Sequence, residues 1–380
     1  MFDSAAERLN VLDGLRGIAI ALVVWYHAWL VTGLNAGALN FVAEAGFLGV
    51  DLFFFISGFC LFYPYARGMV EGRPLPTTSH FFMRRAAKIV PSYLLALVVF
   101  AAVYRDRFVS PQDAVVQVVS HLTFLHTLDP ATFGGISGPL WTIGVEVQFY
   151  AVFPLVCIAF RRAPILAYLG LVAIAEGYRL GLAAMHLDST FWAFNQLPAY
   201  LGIFGSGMFA AYVVTALRSE VTPRERRALS VVSLSAAVLA VVFLAQVSWI
   251  DRTAGIDACY AWLNAHRIAI GPLWFTLAVS SALAVRPWRR VVGMRPLVFL
   301  SIISYNLYLW NLEIVFWLHN AGLSPALSFW LAILASLAVA TAITYVLERP
   351  ILRATARRRV PLPALGAPVP YAARERRAVS

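Results

Sequence analysis

The chain has 380 residues, of which 61% are hydrophobic and only 13% are charged. Soluble globular domains carry about 25% charged residues, so this chain has too little polar surface to cover a water-soluble fold of its size. Its apolar runs are long and continuous rather than alternating, which favours helices that cross a lipid bilayer. The sequence therefore predicts an all-α, multi-pass membrane protein.

Ten apolar runs are long enough to be membrane-spanning helices. The stretch 111–128 is more polar, and we expect it to lie at the membrane interface or to re-enter the bilayer. An even number of spans places both termini on the same side of the membrane. The predicted spans are 11–33, 47–66, 89–104, 139–160, 164–184, 197–217, 228–249, 268–286, 296–318 and 327–347.

Basic residues alternate between the loops that follow successive spans. Most arginines lie at the N-terminus, in the even-numbered loops and in the C-terminal tail, whereas the opposite loops contain only Arg105, Arg107, Arg252 and Arg267. Cytoplasmic loops carry the excess of Lys and Arg, so both termini are predicted to be cytoplasmic. Topology and attraction to anionic lipid thus explain the net charge of +11, and nucleic acid is excluded as a partner.

One domain accounts for most of the chain. We assign residues 1–350 to a transmembrane domain and residues 351–380, which are rich in Pro, Ala and Arg, to a disordered basic cytoplasmic tail. The three cysteines are scattered and indicate neither a disulfide framework nor a metal site. A signal-peptide cleavage near residues 36–38 is the alternative for the first span, but Arg16 and bulky aromatic residues within it argue against cleavage.

Polar residues inside apolar spans are costly and are therefore candidates for function. Arg16 and His27 in the first span are eleven residues apart. Eleven residues make about three helical turns, so both side chains lie on one face, about 16 Å apart along the axis. Arg16 is then near the cytoplasm, where it suits a phosphorylated donor, and His27 is a titratable group in the outer half. The alternative for His27 is a structural hydrogen bond between helices.

A second basic group lies at the end of the second cytoplasmic loop. Arg85 and Lys88 are three residues apart and so face one side of a helix. Guanidinium and ammonium groups both bind phosphate oxygens, which makes this pair a candidate for donor binding. The alternative is an ordinary cytoplasmic anchor for the span.

Glu146 lies about two turns into the fourth predicted span, where an ionised carboxylate needs a partner. We expect that partner to be His27 or an arginine, and a carboxylate beside His27 would fix the imidazole tautomer. A structural ion pair is the alternative.

Two further predictions concern packing between helices. Glu176 and Arg179 are predicted to pair with each other, and three glycines are predicted to allow close helix packing: Gly202, Gly205 and Gly207.

These signals occur in an order that resembles the acyltransferase-3 family of bacterial membrane O-acyltransferases. The opening motif of that family, an arginine and a histidine with ten residues between them, corresponds to Arg16 and His27. The other matching segments are Gly49–Phe59, the basic motif with Arg84, Arg85, Lys88, Pro91 and Tyr93, the motif with Trp141, Glu146, Phe149 and Tyr150, the segment Ser304–Trp310, and Glu348 with Pro350. The resemblance covers residues 8–350.

Three positions depart from the family pattern. Lys88 stands where arginine is usual, Thr142 where serine is common, and Asn311 where a histidine often occurs. A second catalytic histidine is therefore not expected at position 311. The extracytoplasmic esterase-like domain that some members carry is not expected in this sequence.

The resemblance implies transfer of an acyl group, often acetyl, from cytoplasmic acyl-coenzyme A to a hydroxyl outside the membrane. Surface carbohydrates are the main acceptors that it implies, acyl-coenzyme A is a co-substrate rather than a permanently bound cofactor, and no metal is expected. The implied location is the inner (plasma) membrane.

Candidate site residues fall into three groups. His27 and Glu146 are the implied catalytic residues. The donor-binding candidates are Arg16, Arg84, Arg85 and Lys88, and the acceptor or pocket candidates are Asp13, Asp51, Trp141, Tyr150, Tyr305 and Asn311. The alternative function is a small-molecule transporter or exporter, but the sequence has no detectable two-fold repeat and no paired broken helices.

Overall fold

The computed structural model of the protein describes residues 3–35, 37–217 and 220–357, with side chains from residue 10 to residue 355 of those ranges. The described residues are helical and contain no β-strand, which confirms the predicted fold class. The helices of the first half are α1 Asp3–Thr32, α2 Asn40–Glu44, α3 Gly49–Glu71, α4 Thr78–Val103, α5 Pro111–Leu122, α6 Leu140–Arg162, α7 Pro164–Ala184 and α8 Phe191–Phe194. Those of the second half are α9 Leu197–Leu217, α10 Pro223–Ala254, α11 Ile256–His266, α12 Ile270–Leu283, α13 Arg286–Val292, α14 Arg295–Asn320, α15 Pro325–Ile343 and α16 Arg349–Arg357.

Nine helical segments of the described chain are long and apolar enough to cross a membrane. The prediction of ten such helices is corrected at 268–286, where α12 has only 14 residues. A helix of that length extends about 21 Å, which is less than the hydrocarbon thickness of a bilayer. Most of its residues are buried between neighbouring helices, so its high apolar content reflects packing inside the bundle.

Although it is short, α12 reverses the direction of the chain. It runs antiparallel to α10, because Arg226 donates to the carbonyl of Leu283 (3.1 Å) and Ser233 contacts Ser281 (2.5 Å). The chain consequently returns to the end of the bundle where α10 begins, before it enters α14.

Helices α1 and α14 form a parallel pair at the centre of the fold. A Cβ atom at Gly17 would lie 2.2 Å from the carbonyl oxygen of Leu297 on α14, so only glycine allows this approach. Along the same pair, Ser301 donates to Asp13 at 3.0 Å, and His27 lies beside Asn311. This close parallel packing gives α1 and α14 a fixed register through the whole bundle.

The predicted glycine face of α9 is confirmed. A Cβ atom at Gly207 would lie 1.9 Å from the carbonyl oxygen of Phe55 on α3, and one at Gly205 would lie 2.9 Å from Leu171 on α7. The predicted pair of Glu176 and Arg179 is also formed. Close packing on two sides holds α9 between α3 and α7.

Helix α4 begins earlier than the predicted span 89–104. The Thr77 hydroxyl accepts a hydrogen bond from the backbone N–H of His80 (3.3 Å), which caps the helix and starts it at Thr78. Arg85 and Lys88 therefore lie on the helix itself rather than in the loop before it. Residues 351–357 of the predicted tail belong to α16, and residues 358–380 lie outside the described residues.

Candidate active site

Two cavities lie in the bundle and share two lining residues, Val50 and Tyr308. The first, called the basic cavity, has a volume of about 80 Å³ and the second, called the histidine cavity, about 290 Å³. The basic cavity is lined by Arg16, Val50, Phe53, Phe54, Ser57, Cys60, Arg85, Lys88, Ile89, Thr142, Ile143, Glu146, Tyr150, Ser304, Tyr305 and Tyr308. Side chains of the histidine cavity include Tyr26, His27, Val50, Asp51, Phe133, Trp141, Phe194, Asn195, Tyr200, Tyr260, Arg267 and Tyr308.

Three cations meet in the basic cavity although they come from two helices. The guanidinium of Arg16 lies 5.9 Å from the ring centre of Phe53, and that of Arg85 lies 5.6 Å from the ring centre of Tyr150. The Nε of Arg16 is buried and has no hydrogen-bond partner among the described residues. The aromatic face of Phe53 attracts Arg16 only weakly, so the Nε of Arg16 remains available to an anionic ligand.

Lys88, the third cation, already has a carboxylate partner. Its ammonium forms an ion pair with Glu348, and the other oxygen of Glu348 accepts a hydrogen bond from Asn306 at 3.1 Å. A π-helical turn over Thr344–Glu348, at the end of α15, brings this carboxylate inward. Lys88 therefore contributes less net positive charge to the cavity than Arg16 and Arg85 do.

Glu146 lies in the basic cavity and not beside His27. Its Oε1 accepts a hydrogen bond from the Ser57 hydroxyl at 2.6 Å. His27 instead contacts Asn311, so the expected pairing of Glu146 with His27 is not formed. The reason is helix register, because the turn of α6 that carries Glu146 lines the basic cavity whereas His27 lines the histidine cavity.

The hydrogen bonds around Asn311 determine the tautomer of His27. The Nδ2 group of Asn311 donates to the carbonyls of Leu307 (2.8 Å) and Tyr308 (2.9 Å), which leaves its Oδ1 directed at His27. Oδ1 lies 2.6 Å from Nδ1 of His27 and can only accept, so Nδ1 carries the proton. The Nε2 atom then has the free lone pair, on a side chain that lines the histidine cavity.

A buried ion pair forms part of the wall of the histidine cavity. Nε of Arg267 lies 3.2 Å from Oδ1 of Asp51, and the guanidinium also donates to the Phe194 carbonyl (3.1 Å) and the Tyr200 hydroxyl (3.2 Å). Burial opposes its charge, but the nearby Asp51 carboxylate and Tyr200 hydroxyl outweigh that effect and raise the pKa of Arg267. The pair thus joins α3, α8 and α9 around the cavity. Sequence analysis treated Arg267 only as a loop residue, and no motif pointed to it.

Most of the predicted site residues line one of the two cavities. Arg16, Arg85, Lys88, Glu146, Tyr150 and Tyr305 line the basic cavity, and His27, Asp51 and Trp141 line the histidine cavity. Asn311 contacts His27 from outside the lining. Two predicted residues lie elsewhere: Arg84 is exposed, on the side of α4 that faces away from the basic cavity, and Asp13 bonds to Ser301 below it.

The polar stretch 111–128 supports the loop that covers the histidine cavity. The imidazole rings of His121 and His126 stack with centres 4.1 Å apart, and His126 donates to the Leu140 carbonyl at 3.1 Å. Burial lowers the pKa of both histidines, that of His121 to about 3. Ser137 on the same loop donates to Glu313 at 2.6 Å, which assigns Glu313 a structural role.

Comparison with known proteins places these residues in a family. Residues 9–349 match the acyltransferase domain that defines the acyltransferase-3 family. Protein 2 in the picA locus of Rhizobium radiobacter is 30% identical over 170 residues, which are 40% of this chain and 84% of that protein. No solved structure matches the chain.

Two O-acetyltransferases match over a longer part of the chain. The O-acetyltransferase OatA of Staphylococcus aureus is 26% identical over 331 residues, which are 81% of this chain and 51% of that protein. The peptidoglycan O-acetyltransferase OatA of Listeria monocytogenes is 23% identical over 329 residues, 80% of this chain and 49% of that protein. The chain thus spans about half the length of these two relatives. The matched residues include both cavities, and the chain belongs to the acyltransferase-3 family.

Proposed function

We propose that the protein is an O-acyltransferase of the inner (plasma) membrane. It moves an acyl group, with acetyl as the expected one, from cytoplasmic acyl-coenzyme A to a hydroxyl of an extracytoplasmic acceptor. A cell-surface carbohydrate is the expected acceptor. Membership of the acyltransferase-3 family and the similarity to two O-acetyltransferases support this proposal.

The observation that carries the proposal is that the two cavities are neighbours, since Val50 and Tyr308 line both of them. Arg16 and Arg85 give the basic cavity the cationic donors that the phosphates of coenzyme A require. The histidine cavity contains a base whose free lone pair is on Nε2. A thioester that enters through the basic cavity reaches the junction at Val50 and Tyr308, where a hydroxyl bound in the histidine cavity can meet it.

The arrangement of described residues supports a particular orientation in the membrane. The N-terminal part of α1 packs against the α13–α14 turn, and Lys88 in the first half of α4 pairs with Glu348 in the π-helical turn that follows α15. Both ends of the described chain are therefore at the basic end of the bundle. With the excess of arginine in the loops of that end, we assign it to the cytoplasm. Reporter fusions after Thr222 test this, because an extracytoplasmic signal there contradicts the assignment.

The chemistry proposed for His27 is general-base catalysis. Nε2 takes the proton of the acceptor hydroxyl while the hydroxyl oxygen attacks the thioester carbonyl. The C–S bond breaks, the new ester C–O bond forms, and the thiol of coenzyme A leaves with a proton. A positioned base of this kind contributes about 10²- to 10⁴-fold to the rate.

The walls of the histidine cavity suit a carbohydrate. Trp141, Tyr200 and Tyr260 offer large aromatic surfaces with polar edges. Asp51, which is paired with Arg267, and Asn195, which bonds to Tyr200, add polar groups to these walls. Such a mixture of apolar walls and a few polar groups is typical of small-molecule sites.

Mass spectrometry of surface glycans tests the function. Cells that lack the gene should lose O-acyl groups from a surface carbohydrate, and expression of the wild-type protein should restore them. Unchanged O-acylation together with accumulation of a small molecule inside the cells would instead support an exporter.

A further inference from the structure

Two side chains separate the basic cavity from the histidine cavity, because they line both of them. Val50 on α3 and Tyr308 on α14 line both cavities, and no other described residue does so. An acyl group that moves from a donor in one cavity to a hydroxyl in the other must therefore pass these two side chains. Val50 is 8% exposed and Tyr308 7% exposed, so both are held within the packed bundle.

Val50 cannot move away from the junction. A Cβ atom on its neighbour Gly49 would lie 2.5 Å from the carbonyl oxygen of Ala19, and one on Gly46 would lie 2.4 Å from that of Leu22. The start of α3 is thus in direct backbone contact with α1. The side of the junction that Val50 forms has no room to widen without separating these helices.

Tyr308 is fixed on the opposite side. Its ring packs edge-on against Phe53, with ring centres 6.0 Å apart. Its backbone carbonyl accepts a hydrogen bond from Asn311, the residue that also orients His27. A displacement of Tyr308 would therefore disturb the histidine, which makes this side of the junction stiff as well.

We propose that Val50 and Tyr308 select the length of the acyl group and restrict the enzyme to acetyl and other very short chains. The inference rests on the proposed use of acyl-coenzyme A. The basic cavity is the smaller of the two, at about 80 Å³ against about 290 Å³, and many of its lining residues are aromatic or branched. Each added methylene must displace one of the two fixed side chains, and a single methylene changes discrimination by about 10- to 200-fold in an apolar pocket.

Binding of a donor series to the purified protein in lipid nanodiscs tests the proposal without knowledge of the acceptor. Dissociation constants are measured for coenzyme A, acetyl-coenzyme A, butyryl-coenzyme A and hexanoyl-coenzyme A. We expect the wild type to bind acetyl-coenzyme A at least about tenfold more tightly than the butyryl form. Val50→Ala removes two methyl groups and should strengthen butyryl binding by about tenfold, with less than about threefold change for acetyl.

Three further variants keep the test decisive. Val50→Ile should increase the discrimination against butyryl. Tyr308→Phe keeps the ring and should leave the ratio of the two dissociation constants unchanged. Val98→Ala makes the same change as Val50→Ala on a side chain of α4 that is 67% exposed, and it should bind all donors as the wild type does.

The possible outcomes separate this proposal from the proposed function. Equal binding of all acylated donors by the wild type, or an unchanged ratio in both Val50 variants, would overturn the selection of chain length while leaving the donor assignment intact. Failure of the wild type to bind coenzyme A or any acylated form would overturn the donor assignment and this inference with it.

Discussion

The hydrogen bond between Asn311 and His27 leads to a quantitative prediction for Asn311→Leu. This change removes the acceptor 2.6 Å from Nδ1 of His27 and leaves a buried N–H group unpaired. Such a group costs about 1–3 kcal/mol. If that energy is needed to restore the catalytic tautomer and ring orientation, the maximal rate falls by about 5- to 150-fold.

The assay is the initial rate of labelled acetyl transfer from acetyl-coenzyme A in isolated membranes that contain the native acceptor. Asn311→Leu should lower the maximal rate and leave KM for acetyl-coenzyme A nearly unchanged, since Asn311 lies outside the basic cavity. Asn311→Asp keeps an acceptor for Nδ1–H and should retain more activity. Asn264→Leu replaces an equally buried amide that bonds to the carbonyl of Arg179, away from both cavities, and should affect stability only. A normal maximal rate in folded Asn311→Leu would refute the role given to this hydrogen bond.

Three other predictions test donor binding, packing and pH dependence. Arg85→Ala should weaken acetyl-coenzyme A binding, with a smaller loss at high salt, whereas exposed Arg84→Ala should have little effect; titrations at two ionic strengths compare them. Gly207→Ala should prevent folding, because the new Cβ would lie 1.9 Å from a carbonyl oxygen, whereas Gly177→Ala, with open space around it, should fold normally. Size-exclusion chromatography of the two purified variants compares them. Burial lowers the pKa of His121 to about 3, so below pH 6.5 the unfolded state binds a proton that the folded state does not. The melting temperature of the wild type should therefore fall from pH 7 to pH 5, and that of His121→Phe should fall less steeply. Equal donor affinity in the two arginine variants, a folded Gly207→Ala protein, or a flat pH profile would contradict the respective explanation.

Sequence patterns predicted the helical fold and most of the spans because hydrophobic length is a local property of the chain. They failed at the start of α4, where Arg85 and Lys88 lower the local hydropathy although the Thr77 cap begins the helix much earlier. They also failed at α12, which is as apolar as a span but is buried among other helices and has only 14 residues. Hydropathy does not distinguish a helix buried by protein from one buried by lipid.

The candidate site was predictable where motifs lie on cavity-facing turns. Arg16, His27 and Glu146 all line a cavity, yet the partner of each depends on how helices are aligned. Glu146 bonds to Ser57 rather than His27, and Asn311 replaces it as the group that orients the imidazole. Arg267 was missed because a lone arginine between two predicted spans carries no pattern that predicts a buried contact with Asp51.

The amide of Asn311 beside His27 is neutral, so it can orient the imidazole without stabilising its protonated form. A carboxylate at this position would both hold the Nδ1–H tautomer and stabilise the protonated ring, whereas Asn311 provides only the first effect. Glu146 is in the other cavity, so Glu146→Gln should reduce the rate less than loss of the base does. This variant retains the Ser57 contact through its amide oxygen.

The most direct test of the account is the rate of acetyl transfer by His27→Gln. Glutamine keeps a polar side chain of similar size but cannot take the proton of the acceptor hydroxyl. We predict that membranes with the folded variant transfer acetyl about 10²- to 10⁴-fold more slowly than wild-type membranes, with unchanged binding of acetyl-coenzyme A. A well-folded His27→Gln protein with near-normal turnover would contradict the assignment of His27 as the general base.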